Sequence, residues 1–221
     1  MKHARIILAM TAALGLTACG GMDVATRNAP LESAPLAAVD QTKPVAASVT
    51  IVDYEIAVPR SLKSSEANMY YPVGDIVWRE DPLGDRHAQI AAIFDQSLKI
   101  AREETGNGAL PVKVEITLTR FHALTQKTRY TVGGVHSIAF NMTVTDPVTG
   151  AIIVPTHAVQ ANLKGYGGTR ALMAESKGLT QKVRITKHLA NVVEQELRFP
   201  GSTSDVVDKQ VAGLEAPKPR Y

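Results

Sequence analysis

Residues 112–119 read VKVEITLT, and their alternation decides the fold. Val112, Val114, Ile116 and Leu118 share one parity; Lys113, Glu115, Thr117 and Thr119 share the other. A period of two with one apolar face is the pattern of a half-buried strand. His136, Ile138, Phe140, Met142 and Val144 repeat it, alternating with Ser137, Ala139, Asn141, Thr143 and Thr145. Asp146-Pro147-Val148-Thr149-Gly150 places Pro and Gly where a type I turn with a bulge needs them. The strand that follows carries Ile153, Val159, Ala161 and Leu163 on its apolar parity. Three antiparallel strands with one buried face account for the whole stretch.

Helices on either side of this meander would supply the second layer. From Arg86 to Glu104 the apolar residues Ile90, Ile93, Phe94, Leu98 and Ala101 form a single helical stripe. Asp85 stands at the N-cap, and Gly106-Asn107-Gly108 offers a left-handed C-cap. A second long helix is predicted over Leu179–Arg198, with Ile185, Leu189, Val192, Val193 and Leu197 as its stripe and Pro200-Gly201 as its stop. Thr169–Lys177 reads as a short helix ended by Gly178, and Gly165-Tyr166-Gly167-Gly168 as the turn before it. Upstream, Ser48–Val58 is a strand with bulk at both parities, which predicts a central position, and Ile76–Trp78 is a short strand. The expected fold class is α+β: a two-layer sandwich in which a mostly antiparallel sheet of about five strands is packed by two long amphipathic helices.

That domain is expected over 48–200, with 201–221 a disordered tail and the Ala/Pro-rich 19–47 a tether. No membrane-length apolar run occurs after the N-terminus. Without residues 1–18, Lys+Arg falls from 24 to 22 against 21 Asp+Glu, a net charge of about +1. This balance, with no cationic run, gives no nucleic-acid footprint.

Tyr70, Tyr71 and Trp78 cluster in a chain that is only 5% aromatic. Two readings compete: rings packed as a satellite core under a loop, or an exposed patch for a partner. Lys127–Gly134 reads as a cationic hairpin loop in which Arg129 and Tyr130 are the candidate contacts. His122 shares the parity of Leu118, and His136 that of Phe140. If Leu124 and Gly134 close the hairpin, the two histidines face each other across the strands. His157 then falls opposite Phe140. Facing histidines are weak metal candidates, because a third ligand is required; hydrogen-bonded histidines at the core rim are the commoner outcome. A register slip of one residue undoes the pairing. There is no H-E-x-x-H, G-x-S-x-G, P-loop or G-x-G-x-x-G frame, so no catalytic residue and no cofactor is expected.

The N-terminus reads MKHARIILAMTAALGLTACGG over 1–21. Lys2 and Arg5 precede an apolar stretch from Ile6 to Gly15, and Leu16-Thr17-Ala18-Cys19 ends on the only cysteine. This order resembles the lipobox of bacterial lipoproteins. The resemblance implies a signal peptide over 1–18, cleavage between Ala18 and Cys19, and a lipid on the Cys19 sulfur. Gly20, where Asp would mark inner-membrane retention, implies the outer membrane, with the domain facing the periplasm. An ordinary secretory signal followed by an unrelated cysteine is the alternative.

Asp75-Ile76-Val77-Trp78-Arg79-Glu80-Asp81-Pro82, Arg120–Thr125 and Gly133–His136 resemble an uncharacterised family of alphaproteobacterial lipoproteins. The element order is also similar to small α+β lipoproteins that assist envelope transport systems. Together these resemblances imply a non-catalytic, membrane-anchored accessory domain that docks on an envelope protein. Metal binding by His122 and His136, as a carrier or a metal-dependent enzyme, is the alternative.

Overall fold

The computed structural model describes residues 49–203. In chain order the elements are β1 (Val49–Ala57), β2 (Ile76–Val77), α1 (Arg86–Glu104), β3 (Leu110–His122), α2 (Gln126–Arg129), β4 (Gly134–Thr145), β5 (Ile152–Gln160), β6 (Leu163–Gly165), α3 (Gly168–Glu175) and α4 (Gln181–Arg198). The six strands form a sheet in the order β1-β3-β4-β5. β2 continues the β1 lane along the far end of β3, and β6 continues the β5 lane along the start of β4. β1 and β2 run parallel to β3, and the other pairings are antiparallel. The fold is α+β, with six strands where about five were expected, and four helices where two long ones and a short one over Thr169–Lys177 were expected.

The helices form where sequence and caps agree. Asp85 Oδ1 accepts from Ala88 N at 3.1 Å, and the stripe Ile90, Ile93, Phe94, Leu98 and Ala101 is fully buried. Thr180 caps α4 in the same manner through Val183 N. The end of α1 departs from expectation. Thr105 closes it, its amide donating to Ala101 O, and neither Gly106 nor Gly108 has a positive φ. The apolar face of the sheet packs on α1 and α4 to make one core. Edge-to-face rings cross it: Trp78 to Phe121 at 5.8 Å, Phe121 to Phe94 at 6.5 Å, and Phe94 to Phe140 at 5.4 Å. Each such pair adds about 0.5–1.5 kcal/mol beyond its buried area.

Two single-residue bulges explain where the strand readings fail. β1 is an edge strand in the β1-β3-β4-β5 order, not a central one. Its register with β3 shifts between Ile51 and Asp53. Val49 and Ile51 are buried before the shift, whereas Tyr54 and Ile56 pack against the core after it. Bulk at both parities therefore reflects a bulge that switches the inward face along one strand, not two buried faces. A second shift lies between Leu118 and Arg120 in β3. Beyond it Phe121 turns inward, and His122 points to the other face.

Signal residues 1–18, Cys19 with its tether to 47, and the tail beyond 203 lie outside the described residues. Within the expected tail, Gly201, Ser202 and Thr203 are fixed: all three donate to the carboxylate of Glu196.

Candidate functional site

The site candidates gather at one end of the sheet, where β3 ends, β4 begins, and β2 and β6 flank them. β3 has 13 residues, so this end lies roughly 40 Å along the strand from its start, where Val49 pairs with Leu110.

A cavity of about 190 Å³ opens here, between the 70–72 segment and the 132–135 segment. Tyr70 and Tyr71 form one wall, Val132 and Val135 the other, with His122 and Leu124 between them. Tyr71 is 90% exposed, Val132 75% and Val135 56%, so the rim is apolar and open to solvent. Lys127 Nζ lies 4.8 Å over the Tyr70 ring, a cation–π contact that adds charge to the rim. Below it, Thr125 accepts from Thr128 N at 3.2 Å and donates to Met69 O at 2.8 Å, tying the start of the 126–129 turn to the segment that carries Tyr70. This Thr125 cap turns 126–129 into the helical turn α2, where an open loop was expected. The loop ends in close backbone contact: a Cβ on Gly167 would stand 2.3 Å from Gly133 N, so only glycine fits there.

The aromatic cluster divides. Tyr70 and Tyr71 line the cavity, but Trp78 is completely buried, with Nε1 donating to Asp81 Oδ2 at 2.8 Å. Trp78 is therefore removed from any accessible surface; it belongs to the core through Phe121. Arg129 is likewise mostly enclosed, paired with Glu80 at 2.9 Å and Glu175 at 2.6 Å. Tyr130 keeps 45% exposure beside it.

The histidines do not face each other. The Thr119 bulge shifts the register, so His122 pairs with Ser137, while His136 pairs with Leu163 of β6. His122 Nε2 donates to Pro72 O at 2.9 Å, and burial pushes its pKa down. His157 lies opposite Met142 rather than Phe140. Among the described residues no three His, Cys, Asp or Glu side chains come together as a metal set.

His136 is 1% exposed. Its Nδ1 accepts from Leu124 N at 3.3 Å, which puts the ring proton on Nε2. Burial, reinforced by the charges of Arg184, Arg129 and His188, drives its pKa down to about 3, so the ring is neutral. With Tyr166, Gln181, Arg129 and Arg184 it bounds a narrow cleft under α3. None of Tyr166, Gln181 or Arg184 stands out in the sequence, because each reads as an ordinary turn or helix-surface residue.

The opposite end carries a second polar centre. Glu196 is fully buried and accepts from His157 Nε2 at 3.0 Å, Gly201 N at 2.6 Å, and both N and Oγ1 of Thr203 at 2.9 and 2.6 Å. It lies three and four residues after Val193 and Val192, on the apolar stripe of α4, and that position was the signal in the sequence. A larger cavity of about 270 Å³ sits near this end beside Val49, lined by Glu103, Glu104 and the ion-paired Glu194 and Arg198. None of the residues lining it is a large exposed apolar one.

The chain belongs to a family of unknown function, DUF6778, whose model matches residues 49–213. This agrees with the expected membership of an uncharacterised family. No curated protein matches the chain. Among solved structures it is similar to a DUF330 protein of Xanthomonas campestris, at 11% identity over 78% of this chain and 94% of that one, with a TM-score of 0.36. A candidate lipoprotein of Caulobacter crescentus is similar at 12% identity, 62% and 90% coverage, and a TM-score of 0.28. A Helicobacter pylori protein described as a homologue of neuraminyllactose-binding hemagglutinin follows at 7% identity, 78% and 94% coverage, and a TM-score of 0.23. Likenesses this slight carry no functional argument.

Proposed function

We propose that this is a lipid-anchored, non-catalytic protein of the cell envelope, whose domain docks on an envelope protein partner through the apolar rim at the β3–β4 end. The observation that carries the reading is the placement of Tyr71, Val132 and Val135, all more than half exposed, around one cavity. Large apolar groups held open to water at a single place are the mark of a contact surface rather than of scattered surface residues. The cavity is below the roughly 300 Å³ of an ordinary small-molecule pocket, which favours a protein side chain as its occupant.

The anchor follows from the lipobox resemblance at Leu16–Cys19, with the outer membrane and a periplasmic domain implied by Gly20. No helix of the described residues is long and apolar enough to cross a membrane, so attachment would fall to the lipid.

Co-purification after in-cell crosslinking tests this. The partner recovered with the native chain should be lost with Tyr71→Ala/Val132→Ser while the melting temperature stays unchanged. Retention of the same partner by that folded variant would refute the rim as the contact. A Cys19→Ser chain that is still membrane-bound would refute the anchor.

A further inference from the structure

We propose that the cleft bounded by His136, Tyr166, Gln181 and Arg184 binds the phosphate group of a phosphomonoester, one oxygen entering the cleft and the remainder lying outside against Arg170. This inference is independent of the docking role.

The cleft is bounded by a buried acceptor without a partner, Gln181 Oε1, and by the ring of His136. His136 is 1% exposed; its Nδ1 accepts from Leu124 N, which makes Nε2–H a donor, and among the described residues no hydrogen bond from it is seen. Gln181 is 3% exposed, and its Oε1 is also unpaired; Leu124 O, accepting from Nε2 at 3.4 Å, sets the orientation of the amide. Unpaired groups buried this deeply are uncommon and ask for an explanation. The ligand must therefore accept one hydrogen bond and donate another. The single oxygen of a phosphate P–OH does both: a lone pair accepts from His136 Nε2–H, and its proton goes to Gln181 Oε1.

Charge points the same way. The Arg184 guanidinium stacks 3.7 Å from the Tyr166 ring centroid and donates to Lys164 O at 2.7 Å; Arg170 lies 4.5 Å over the same ring. Neither arginine is ion-paired with a carboxylate among the described residues. The third cation of the cleft, Arg129, is already neutralised by Glu80 and Glu175. Burial, with the charges of Arg129 and Arg170, pulls the Arg184 pKa down, which an anion would reverse. Arginine on an aromatic face, with further N–H donors free, suits phosphate. The space inside is only about 10 Å³, room for one oxygen, so the body of the ligand stays at the surface.

The probes are inorganic phosphate and vesicles containing phosphatidic acid or phosphatidylglycerol, added to the full chain carrying Cys19→Ser so that no acyl group is attached. The readouts are the NMR signal of His136 Nε2–H and calorimetric affinity. Saturable binding of phosphate that moves the His136 signal supports the site, and Arg184→Gln should weaken it at least tenfold. Arg170→Ala, an exposed change that leaves the core untouched, should weaken it severalfold and keeps the test valid if Arg184→Gln does not fold. Selective binding of phosphatidic acid vesicles, competed by phosphate, supports the same site with a lipid-borne monoester. Equal binding to both vesicle types without competition, or no shift of His136 with any probe, overturns the proposal.

Discussion

The two ends of the sheet treat a buried polar group in opposite ways. Near the β5–α4 contact, Glu196 is surrounded by donors, and His157 beside it has an acceptor at each nitrogen: Glu196 Oε2 and Pro155 O, both at 3.0 Å. Two acceptors require two N–H groups, so His157 is held as an imidazolium and its pKa is raised, first by Glu196. At the other end His136 accepts from an amide and is held neutral, with no hydrogen bond from Nε2–H seen among the described residues. A polar centre that satisfies all its members locks structure, here the turn from Phe199 to Thr203. One that leaves donors and acceptors open keeps binding capacity at a cost in stability.

The largest effect that would break this contrast is at Glu196. Glu196→Ala leaves His157 and Thr203 without their acceptor and should cost about 3–5 kcal/mol in urea denaturation. A loss below about 1 kcal/mol would mean that the turn is not locked by the carboxylate. Trp78→Ala should be comparably severe, about 3–5 kcal/mol, since the ring is fully buried against Phe121.

The pH dependence sharpens the comparison, because the two histidines act with opposite sign. The His136 pKa falls from 6.5 to about 3 on folding, so the unfolded chain takes up the proton first. Stability is thus lost as pH falls below 6.5, by about 2 kcal/mol at pH 5 from this group. His157 is raised, so its contribution is complete below pH 6.5 and disappears as pH climbs through its folded value. In melts across pH 5–9, His136→Phe should flatten the acid side and His157→Gln the alkaline side. The reverse assignment would contradict the protonation states argued from their partners. Smallest of all, Tyr71→Ala should change stability by no more than about 0.5 kcal/mol, because the ring is 90% exposed.

The sequence shows much of the frame and little of this contrast. The stripes of α1 and α4 and the Asp146–Gly150 hairpin are legible because cap, period and turn chemistry agree there; Gly150 takes φ +71, and Asp146 Oδ1 accepts from Val148 N and Thr149 N. The bulges at Val52 and Thr119 are not legible. No glycine or proline marks them, yet each reverses which face every later residue of its strand presents. The Thr119 bulge alone removes the facing histidines. Trp78 and Tyr71 are equally aromatic and seven residues apart; only the pairing of β2 with β3 sends one inward and leaves the other in water. The His136 cleft draws on β4, the 165–168 turn and α4, and no local pattern joins three segments so far apart.

The most direct test of an open end and a locked end is site-specific photo-crosslinking in cells, with the reactive residue placed at Tyr71 in one chain and at Thr149, in the hairpin at the other end, in a second. A crosslinked partner from Tyr71 and none from Thr149 is the predicted result. Products from Thr149 alone, or the same product from both positions, would contradict the account.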